Sequence, residues 1–471
     1  MRDFLPADVR KRNYVINIIK EVYESYGFEP LETPAVENIE TLLGKYGEEG
    51  NQLIFRVLKR GDKLDKDLKA LRETGIMPGS VLGERITPEG RFADLALRYD
   101  LTVPLARVVA NHKNDLPKFF KRYQIQPVWR ADRPARGRFR EFYQCDVDCI
   151  GSDSIVIEAE LISAVSEIME KLGFDDFLVK VNNRQLLAGI LEASGIPQNR
   201  VAETIIILDK LDKIEVDGVL NELEQIGINL AEIGTFTNFI AAIFKQRQEL
   251  LESEGPHVAN QFTIDQIAKF AGNCANGREG LVTLVSIMDL VGRAGMGDKL
   301  WADPVLARGL SYYTGTIMEI VLMRKDFQGS MGGGGRYDGL IGMFGKEQIP
   351  ACGFSLGLER ILVVMEERGM FPPEIAASNS ADVMVTIWND ETIGESLKLA
   401  NELRKKGLRV TVYPEADKLG KQIKYADSIG VPFVCVLGES EIADGTVTLK
   451  NMQTGEQQTL TRAEVASKIT K

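Results

Sequence analysis

The chain has 471 residues, of which 44% are hydrophobic and 27% are charged, and its formal net charge is −11. This length is enough for two to four domains, and no apolar run approaches the ~20 residues that a membrane helix needs. Only two histidines, His112 and His257, are present, so a histidine-based triad or a multi-histidine metal site is nearly excluded. A nucleic-acid partner would need local basic patches, because the overall charge repels it.

The five cysteines form no Cys-x-x-Cys pair, which fits a thiol-reducing cytoplasm and argues against a zinc knuckle. The first residues have neither the pattern of a signal peptide nor that of a transit sequence. We therefore expect a cytoplasmic protein without a membrane anchor.

Apolar residues at helical spacing predict a first helix over residues 8–26, ended by Gly27. The extended, proline-containing residues 28–34 follow, and their prolines favour a sheet edge or an interface. A plain surface strand and a dimer contact explain them equally well. Residues 59–91 predict a polar surface insertion of unassigned structure.

Residues 95–102 predict a strand that ends at Pro104. Its alternation places Arg98, Asp100 and Thr102 on one face. Thr102 could instead be the N-cap of the next helix, and this pattern alone does not separate that role from ligand contact.

Two strand-like runs, residues 123–130 and 138–150, flank a short basic loop with turn chemistry at Pro134 and Gly137. Side chains of a strand alternate between its faces. One face of the second run is apolar and typical of core. The other carries a cation, an aromatic ring, an amide and two carboxylates, namely Arg140, Phe142, Gln144, Asp146 and Asp148. This row suits a ligand with phosphate at one end and amine at the other, but an exposed hairpin face explains it equally well.

Residues 196–290 are almost wholly helical in pattern and carry no chemical motif, which predicts an inserted helical domain. Strand character returns over residues 307–323. The four glycines 332–335 then allow a close approach of the backbone to a ligand, or a tight turn. They match neither a P-loop nor a dinucleotide-binding fingerprint. Residues 352–364 predict a strand or glycine turn that runs into a helix carrying Glu359 and Arg360.

Proline and serine mark a linker near residues 373–381, after which strands and helices alternate. This pattern predicts a separate α/β domain with a mostly parallel sheet. Lys418, Lys421 and Lys424 recur every three residues on a predicted helix. A solvated helix face is the better interpretation of them than a binding site.

Taken together, these segments resemble the class II aminoacyl-tRNA synthetases, and most closely the histidyl-tRNA synthetase family, over nearly the whole chain. The three class motifs correspond in order to residues 27–34, to the hairpin with its residues 129–132 and 138–142, and to residues 353–360. Residues 97–102, 306–313 and 144–148 match the histidyl branch.

The resemblance implies an α/β multidomain fold whose catalytic domain is an antiparallel sheet flanked by helices. The implied domains are a catalytic domain in two parts (1–190 and 296–372), a helical insertion domain (191–295), a linker (373–381) and a C-terminal α/β anticodon-binding domain (382–471). The implied reaction is the ATP-dependent ligation of L-histidine to the 3′ end of tRNA(His) through a histidyl-adenylate, with Mg²⁺. A cytoplasmic homodimer is also implied.

The resemblance further implies roles for single residues. The ATP-binding set would be Arg130 on the α-phosphate, Phe142 on adenine, Arg360 on the γ-phosphate, and Arg138. The histidine-binding set would be Asp100, Thr102, Arg130, Gln144, Asp148, Arg308, Tyr312 and Tyr313. Arg308 and Arg130 would be catalytic, because positioning and charge neutralisation dominate the attack of a carboxylate on phosphorus. No protein metal ligand is expected, and Asp146 has no implied role.

Ser311 stands where this family often has aspartate, and Asp132 where it commonly has glutamate. One alternative is the regulatory subunit of ATP phosphoribosyltransferase, which shares the catalytic fold, senses histidine and would lack the C-terminal domain. A prolyl or threonyl synthetase is a second, against which residues 308–313 argue. A pure RNA-binding scaffold is a third, but it would not need the polar row of the hairpin.

Overall fold

An eight-stranded, mostly antiparallel sheet organises the first of two units, Met1–Met370 and Phe371–Lys471. The structure is a computed structural model that describes residues 2–73, 92–209, 211–307, 312–324, 326–327, 329–345, 347–376 and 381–470. No helix within these ranges is both long and apolar enough to cross a bilayer.

The strands of the first unit are β1 Glu29–Pro30, β2 Val36–Asn38, β3 Arg56–Leu58, β4 Ala93–Leu97, β5 Phe120–Trp129, β6 Glu141–Ile150, β7 Phe177–Asn183, β8 Leu300–Ala302, β9 Thr316–Leu322, β10 Ser330–Arg336 and β11 Ala351–Gly357. The large sheet has the order β1-β5-β6-β11-β10-β9-β7-β8. Its pairs are antiparallel except β1 with β5 and β7 with β8. The proline-containing β1 lies at the edge, as predicted from its prolines.

The α-helices of this unit are Pro6–Ser25, Ile39–Leu42, Gly47–Leu53, Asp62–Glu73, Thr102–His112, Val156–Lys171, Arg184–Ala193, Gln198–Leu208, Leu211–Gln225, Leu230–Glu254, Pro256–Ala271, Ala275–Arg293 and Leu358–Glu367. Short 3-10 turns lie at Gly297–Lys299 and Ile341–Met343. The first helix buries the apolar stripe that predicted it, and Gly27 follows its end with a positive φ of 77°. Of the predicted insertion over residues 59–91, residues 74–91 lie outside the described ranges.

The predicted hairpin is present as β5 and β6, joined by the basic loop of residues 130–140. Cys145, Val147 and Cys149 point to one face of β6 and are buried there, as their alternation predicted. The helices Val156–Lys171 and Leu358–Glu367 pack against β6 and β11, so this face belongs to the core.

The four glycines lie in the interior of β10, between β9 and β11. The tight-turn interpretation is therefore wrong. A Cβ at Gly334 would lie 2.1 Å from the carbonyl oxygen of Gly353 on β11, so close packing of neighbouring strands requires glycine there. The predicted strand over residues 307–323 is shorter than expected, because β9 begins at Thr316.

The helices from Gln198–Leu208 to Ala275–Arg293 make up the predicted helical insertion, and two of them, Leu230–Glu254 and Pro256–Ala271, cover the free edge of β8. Asn260 donates through Nδ2 to the carbonyl of Leu300 at 2.9 Å, and its Oδ1 accepts the amide of Ala302 at 3.0 Å. The carbonyl of Ala302 also accepts from the Arg247 guanidinium at 2.9 Å. Side chains thus replace the strand that would otherwise pair with this edge.

A smaller sheet of order β2-β4-β3 lies in the same unit. Its register places Val36 opposite Leu97, and places Leu95 opposite both Asn38 and Val57. Val36, Val57 and Leu95 therefore share one face, where they are 42%, 38% and 37% exposed. The predicted strand over residues 95–102 is wrong beyond Leu97, because the chain leaves the sheet and enters a helix at Thr102.

The second unit contains β12 Val383–Val385, β13 Val410–Val412, β14 Phe433–Val436, β15 Thr446–Asn451 and β16 Gln457–Thr461. Its helices are Pro373–Ala376, Ile393–Lys405, Leu419–Ser428, Glu439–Asp444 and Arg462–Ile469, with a 3-10 turn at Asp390–Thr392. In the order β13-β12-β14-β15-β16, only the first two pairs are parallel. The prediction of a mostly parallel sheet is wrong. The connections after β14 (residues 437–445) and after β15 (residues 452–456) are shorter than the roughly dozen residues that a crossover between parallel strands needs.

Candidate active site

Three neighbouring strands bring the polar residues of the hairpin side by side. Arg122 on β5 lies opposite Asp148 on β6, which lies opposite Gly353 on β11. The next pairs along align Gln124, Asp146 and Ser355. Asp146 and Asp148 are each 2% exposed, and Arg122 is fully buried. The exposed-face interpretation is therefore wrong for Gln144, Asp146 and Asp148, whereas Arg140 is exposed near the loop.

Arg122 supplies a buried cation for the two aspartates. Its Nη2 lies 2.8 Å from Oδ2 of Asp148 and 3.9 Å from Oδ2 of Asp146. The shorter contact is an ion pair rather than an aligned hydrogen bond, since Oδ2 of Asp148 has no hydrogen-bond partner among the described residues. Burial raises the pKa of Asp146 to about 7 and also raises the pKa of Asp148, while Arg122 opposes both shifts. Sequence reasoning missed Arg122, whose alignment with Asp148 depends on strand register.

Asp148 is held from its other side by Tyr337, whose hydroxyl donates to Oδ1. Tyr337 follows the glycine strand directly and is 1% exposed. A Cβ at Gly353 would lie 1.9 Å from the same Oδ1, so only glycine leaves room for this carboxylate. Tyr337 was missed as well, although its position after Arg336 at the end of the glycine run was a signal.

Asp100 lies beneath two tyrosines at the start of the helix Thr102–His112. Its Oδ1 accepts from the hydroxyl of Tyr46 at 2.9 Å and from the amide of Val103 at 3.0 Å. Its Oδ2 accepts from the hydroxyl of Tyr312 at 3.2 Å. Burial raises the pKa of Asp100 above its ordinary value. The carboxylate of Asp100, not Thr102, therefore caps the first turn of the helix. Burial raises the pKa of Tyr312, and Thr102 opposes that shift.

Tyr312 and Tyr313 continue this cluster, with ring centroids 5.0 Å apart, and Tyr312 lies 6.0 Å from the ring of Tyr337. A Cβ at Gly335 would approach the Tyr313 ring to 3.0 Å, so the glycine strand also makes room here. Burial raises the pKa of Tyr313, and the negative charges of Asp146, Asp148 and Asp100 raise it further, so these three aspartates lie in one neighbourhood. Arg308 and Ser311 lie outside the described residues.

Arg130 and Phe142 lie together at the loop end of the hairpin. The Arg130 guanidinium carbon is 4.3 Å from the ring centroid of Tyr99 and 5.2 Å from that of Phe142. Its Nε donates to the carbonyl of Tyr99 at 3.0 Å. No carboxylate of the described ranges forms an ion pair with Arg130. The guanidinium thus keeps its remaining donors for an anion.

Two residues on the helix Leu358–Glu367 approach the hairpin. Glu359 is 3% exposed and accepts the amide of Tyr143 with both carboxylate oxygens, at 3.0 and 2.9 Å. Burial raises the pKa of Glu359 to about 7. Arg360 donates to the carbonyl of Ser330, and a Cβ at Gly137 would lie 3.3 Å from its Cγ, so the basic loop passes over it.

Arg138 is not brought into the cluster, since its side chain is exposed and its backbone pairs with Ala135 in the loop. Arg136 anchors this loop through an ion pair with Glu367 and a hydrogen bond of 2.7 Å to the carbonyl of Asp326. The described residues contain no group of three or more His, Cys, Asp or Glu side chains arranged to hold a metal ion.

The arrangement is therefore polar at two ends of one strand. A guanidinium and an aromatic ring lie at the start of β6, and an amide and two carboxylates lie further along it. Such a site can bind a phosphate-bearing molecule beside a cationic one and align them.

Comparison with known families identifies this constellation. A family model described as histidyl-tRNA synthetase matches residues 85–361, more than half of the chain, and one described as an anticodon binding domain matches residues 382–471. The chain belongs to the histidyl-tRNA synthetase family.

Relatives named histidine--tRNA ligase match over almost their full length. That of Christiangramia forsetii is 40% identical over 463 residues, covering 98% of the chain and 95% of the relative. That of Porphyromonas gingivalis is 42% identical over 465 residues, with the same shares covered. The predicted enzyme class and its reaction, the ligation of histidine to tRNA, are confirmed by this membership.

Among solved structures, the histidyl-tRNA synthetase of a Nostoc species has a TM-score of 0.73 and 32% identity, covering 100% of this chain and 97% of its own. The predicted fold class is thereby confirmed. A structure described as an ATP phosphoribosyltransferase regulatory subunit/histidyl-tRNA synthetase from Bacillus halodurans has a TM-score of 0.69 at 18% identity and shares the fold alone. The regulatory-subunit alternative is the less supported one, because the C-terminal domain that it would lack is present.

Proposed function

We propose that this chain activates L-histidine with ATP to a histidyl-adenylate and transfers the histidyl group to the 3′ end of tRNA(His). The observation that carries the proposal is the burial of three carboxylates, Asp100, Asp146 and Asp148, within one neighbourhood. Their mutual repulsion, only partly balanced by Arg122, favours a ligand that brings positive charge. The α-ammonium and the imidazole of histidine can both bring positive charge to this site.

In this proposal Asp100, Thr102 and Gln144 bind the amino group of histidine. Asp148, Tyr312 and Tyr313 line the imidazole. Arg308, together with Arg130, binds the substrate carboxylate and the α-phosphate and acts as a catalytic residue. The buried hydroxyls and carboxylates favour this division, because each fixed polar group discriminates against substrates that leave it unpaired.

ATP occupies the loop end of the hairpin in the proposal. Arg130 holds the α-phosphate, Phe142 stacks on adenine, Arg360 reaches the γ-phosphate, and Arg138 completes the set from the loop. The guanidinium of Arg130 fits this role because it lies beside two aromatic rings and keeps donors free. Mg²⁺, when bound with the nucleotide, would neutralise phosphate charge, while these arginines position the α-phosphorus for in-line attack by the histidine carboxylate.

We further propose a cytoplasmic homodimer. The apolar face of the small sheet, with Val36, Val57 and Leu95, supports self-association, because neighbouring exposed β-branched and leucine side chains favour burial. All five cysteines are free, which agrees with a reducing compartment. Sedimentation of the chain at twice the monomer mass would support the dimer, and Val57→Lys should shift it towards monomer.

The deciding experiment for the activity is histidine-dependent exchange between ATP and pyrophosphate. Exchange with histidine, and none with proline or threonine, is the expected result. Exchange with either of those two amino acids alone would overturn the specificity. Histidine binding without any exchange would favour the regulatory-subunit alternative.

A further inference from the structure

The end of the hairpin that carries Phe142 projects beyond the large sheet. β11 ends at Gly357, opposite Gln144, so residues 141–143 have β5 as their only strand neighbour among the described residues. A two-stranded ribbon is marginally stable by itself. Phe142 therefore needs support from outside the sheet if it is to present a fixed ring to a ligand.

Part of that support comes from the helix Leu358–Glu367, which begins where β11 ends. Its Glu359 accepts the amide of Tyr143 with both carboxylate oxygens, at 3.0 and 2.9 Å. A carboxylate, rather than a strand, thus binds this amide. The contact fixes one backbone group next to Phe142 and leaves the loop side of that residue to be held by other groups.

The first residues of the chain hold the loop side. Rings and guanidinium groups alternate there in a cation–aromatic row that consists of Phe139, Arg2, Phe4, Arg12 and Tyr143. The guanidinium carbon of Arg2 lies 4.3 Å from the ring centroid of Phe139 and 4.5 Å from that of Phe4. The guanidinium carbon of Arg12 lies 4.8 Å from the centroid of Phe4 and 5.0 Å from that of Tyr143. All four distances are within the ~6 Å over which an aromatic ring attracts a cation.

The two ends of the row lie on either side of Phe142 in the chain, one in the basic loop and one in β6. Its middle is anchored in the first helix, which carries Arg12. Asp8 of that helix accepts the amide of Leu5 at 3.0 Å, which fixes where residues 2–4 join the helix. Nε of Arg12 is buried and has no hydrogen-bond partner among the described residues, so contact with the two rings replaces a hydrogen bond there.

The charges near Glu359 agree with this arrangement. Burial raises the pKa of Glu359 to about 7, and the amide of Tyr143 and the positive charges of Arg2 and Arg12 oppose that shift. The two cations therefore lie near the carboxylate that binds the hairpin backbone. Support from the helix and support from the first residues of the chain meet at Tyr143.

We propose that Arg2, Phe4 and Arg12 are positioning residues for the nucleotide, because they hold the projecting end of the hairpin where it presents Phe142 to adenine. The inference rests on the proposed function, which gives Phe142 to ATP. The three residues touch no reacting atom and act only through the hairpin. A hairpin end that leaves this position for part of the time binds ATP more weakly, in proportion to the fraction that remains in place.

Phe4→Leu is the main test, because it removes the central ring of the row without changing any charge. We expect the variant to bind ATP about threefold more weakly in titration calorimetry, the size of an exposed cation–ring contact. Its affinity for L-histidine should not change, because the proposed histidine site lies further along β6. Inorganic tripolyphosphate carries phosphates without adenine and should bind the variant as tightly as it binds the unmodified chain.

Variants of the first helix separate the row from a general effect of charge. Arg12→Met should weaken ATP binding by a similar factor, and Arg12→Lys, which keeps a cation near both rings, should recover part of the loss. Lys11→Met is the matched control, because it removes a cation from the neighbouring position and breaks an ion pair with Glu366. Lys11 is not part of the row, so this variant should bind ATP as the unmodified chain does.

Unchanged ATP affinity in Phe4→Leu, or an equal loss in Lys11→Met, would overturn the inference. Equal losses for ATP and tripolyphosphate would also overturn it, because the effect would then not concern adenine. Should Phe4→Leu fail to fold, Arg2→Met decides in its place, since Arg2 is exposed. A set of variants with the expected ATP losses, in a chain without histidine-dependent exchange, would contradict the proposed reaction only.

Discussion

The two units of this chain treat their charged residues in opposite ways. In the first, Arg122, Asp146 and Asp148 are at most 2% exposed and are paired across neighbouring strands. In the second, Lys418, Lys421 and Lys424 are exposed on or beside one helix, and Lys421 pairs with Asp417 four residues earlier. Unpaired buried charges cost several kcal/mol, whereas exposed pairs contribute little. A row of charged residues therefore indicates a functional site when it is buried. Regular spacing along an exposed helix does not indicate one.

The same contrast appears in two glutamates. Glu359 in the first unit is buried, and its pKa is raised to about 7 by the loss of solvent. Glu464 in the second unit is exposed and accepts from Thr461, which lowers its pKa. The two carboxyls therefore make stability depend on pH in opposite directions.

The largest expected effect comes from Arg122→Met, which leaves two buried carboxylates without their cation. We expect the free energy of unfolding in urea to fall by about 3–5 kcal/mol, the usual cost of breaking a buried pair. Adding Asp148→Asn should recover part of that loss. If the free energy of unfolding fell by no more than it does when an exposed pair is broken, the contrast between the two units would be contradicted.

Next in size is the pH dependence of Glu359→Gln. A carboxyl whose pKa is raised on folding stabilises at low pH, and that contribution is lost as pH rises from about 4.5 to about 7. Relative to the unmodified chain, the variant should therefore gain about 3 kcal/mol of unfolding free energy across this window. Urea denaturation at several pH values measures it.

Glu464→Gln is the matched control, and its effect has the opposite sign. The depressed pKa of Glu464 gives stability at neutral pH that is lost on acidification. The control should therefore lose stability relative to the unmodified chain at neutral pH and converge with it in acid. Parallel pH profiles for the two variants would contradict the assignment of buried and exposed roles.

Tyr337→Phe removes a single hydroxyl from Asp148 without changing the packing. We expect about a tenfold weaker affinity for histidine, from one hydrogen bond to a charged group, with the KM for ATP unchanged. Calorimetry with histidine and exchange kinetics with ATP measure the two quantities. Tyr23→Phe is the control, because it removes a buried hydrogen bond of 3.1 Å to the carbonyl of Cys145. An equal loss of affinity in that variant would mean that the effect is one of stability alone.

The smallest effect is expected from Lys421→Ala in the second unit. Its pair with Asp417 is exposed to solvent, so the urea midpoint should not move measurably. A binding role would show elsewhere, as a salt dependence of tRNA affinity that falls by about one charge. A lower urea midpoint would mean that this exposed pair contributes more to stability than its exposure suggests.

Local patterns predicted the elements well. The alternation of the hairpin and the helical spacing of residues 8–26 each depend on neighbours in sequence, and both elements are present. The glycine strand was misread as a possible turn because glycine is unfavourable in strands. Its presence there follows from the close approach of Gly353, a residue far along the chain.

The site was only partly predictable from residue patterns. Alternation grouped Gln144, Asp146 and Asp148 but could not show whether they face solvent. The roles of Asp100 and Arg130 came from the family resemblance rather than from spacing. Arg122, Ser355 and Tyr337 escaped notice because they join the row through strand register and tertiary contact, which one sequence does not encode locally.

The helix Pro256–Ala271 does more than cover a sheet edge, since it holds a backbone proton of that edge. The amide of Ala302 is bonded to Asn260, 42 residues earlier, and not to the neighbouring strand. Exchange of that hydrogen for deuterium therefore requires the helix to lift away. Deuterium uptake at the Ala302 amide therefore reports separation of this helix from the sheet edge. Mass spectrometry can follow it on the unlabelled, unmodified chain.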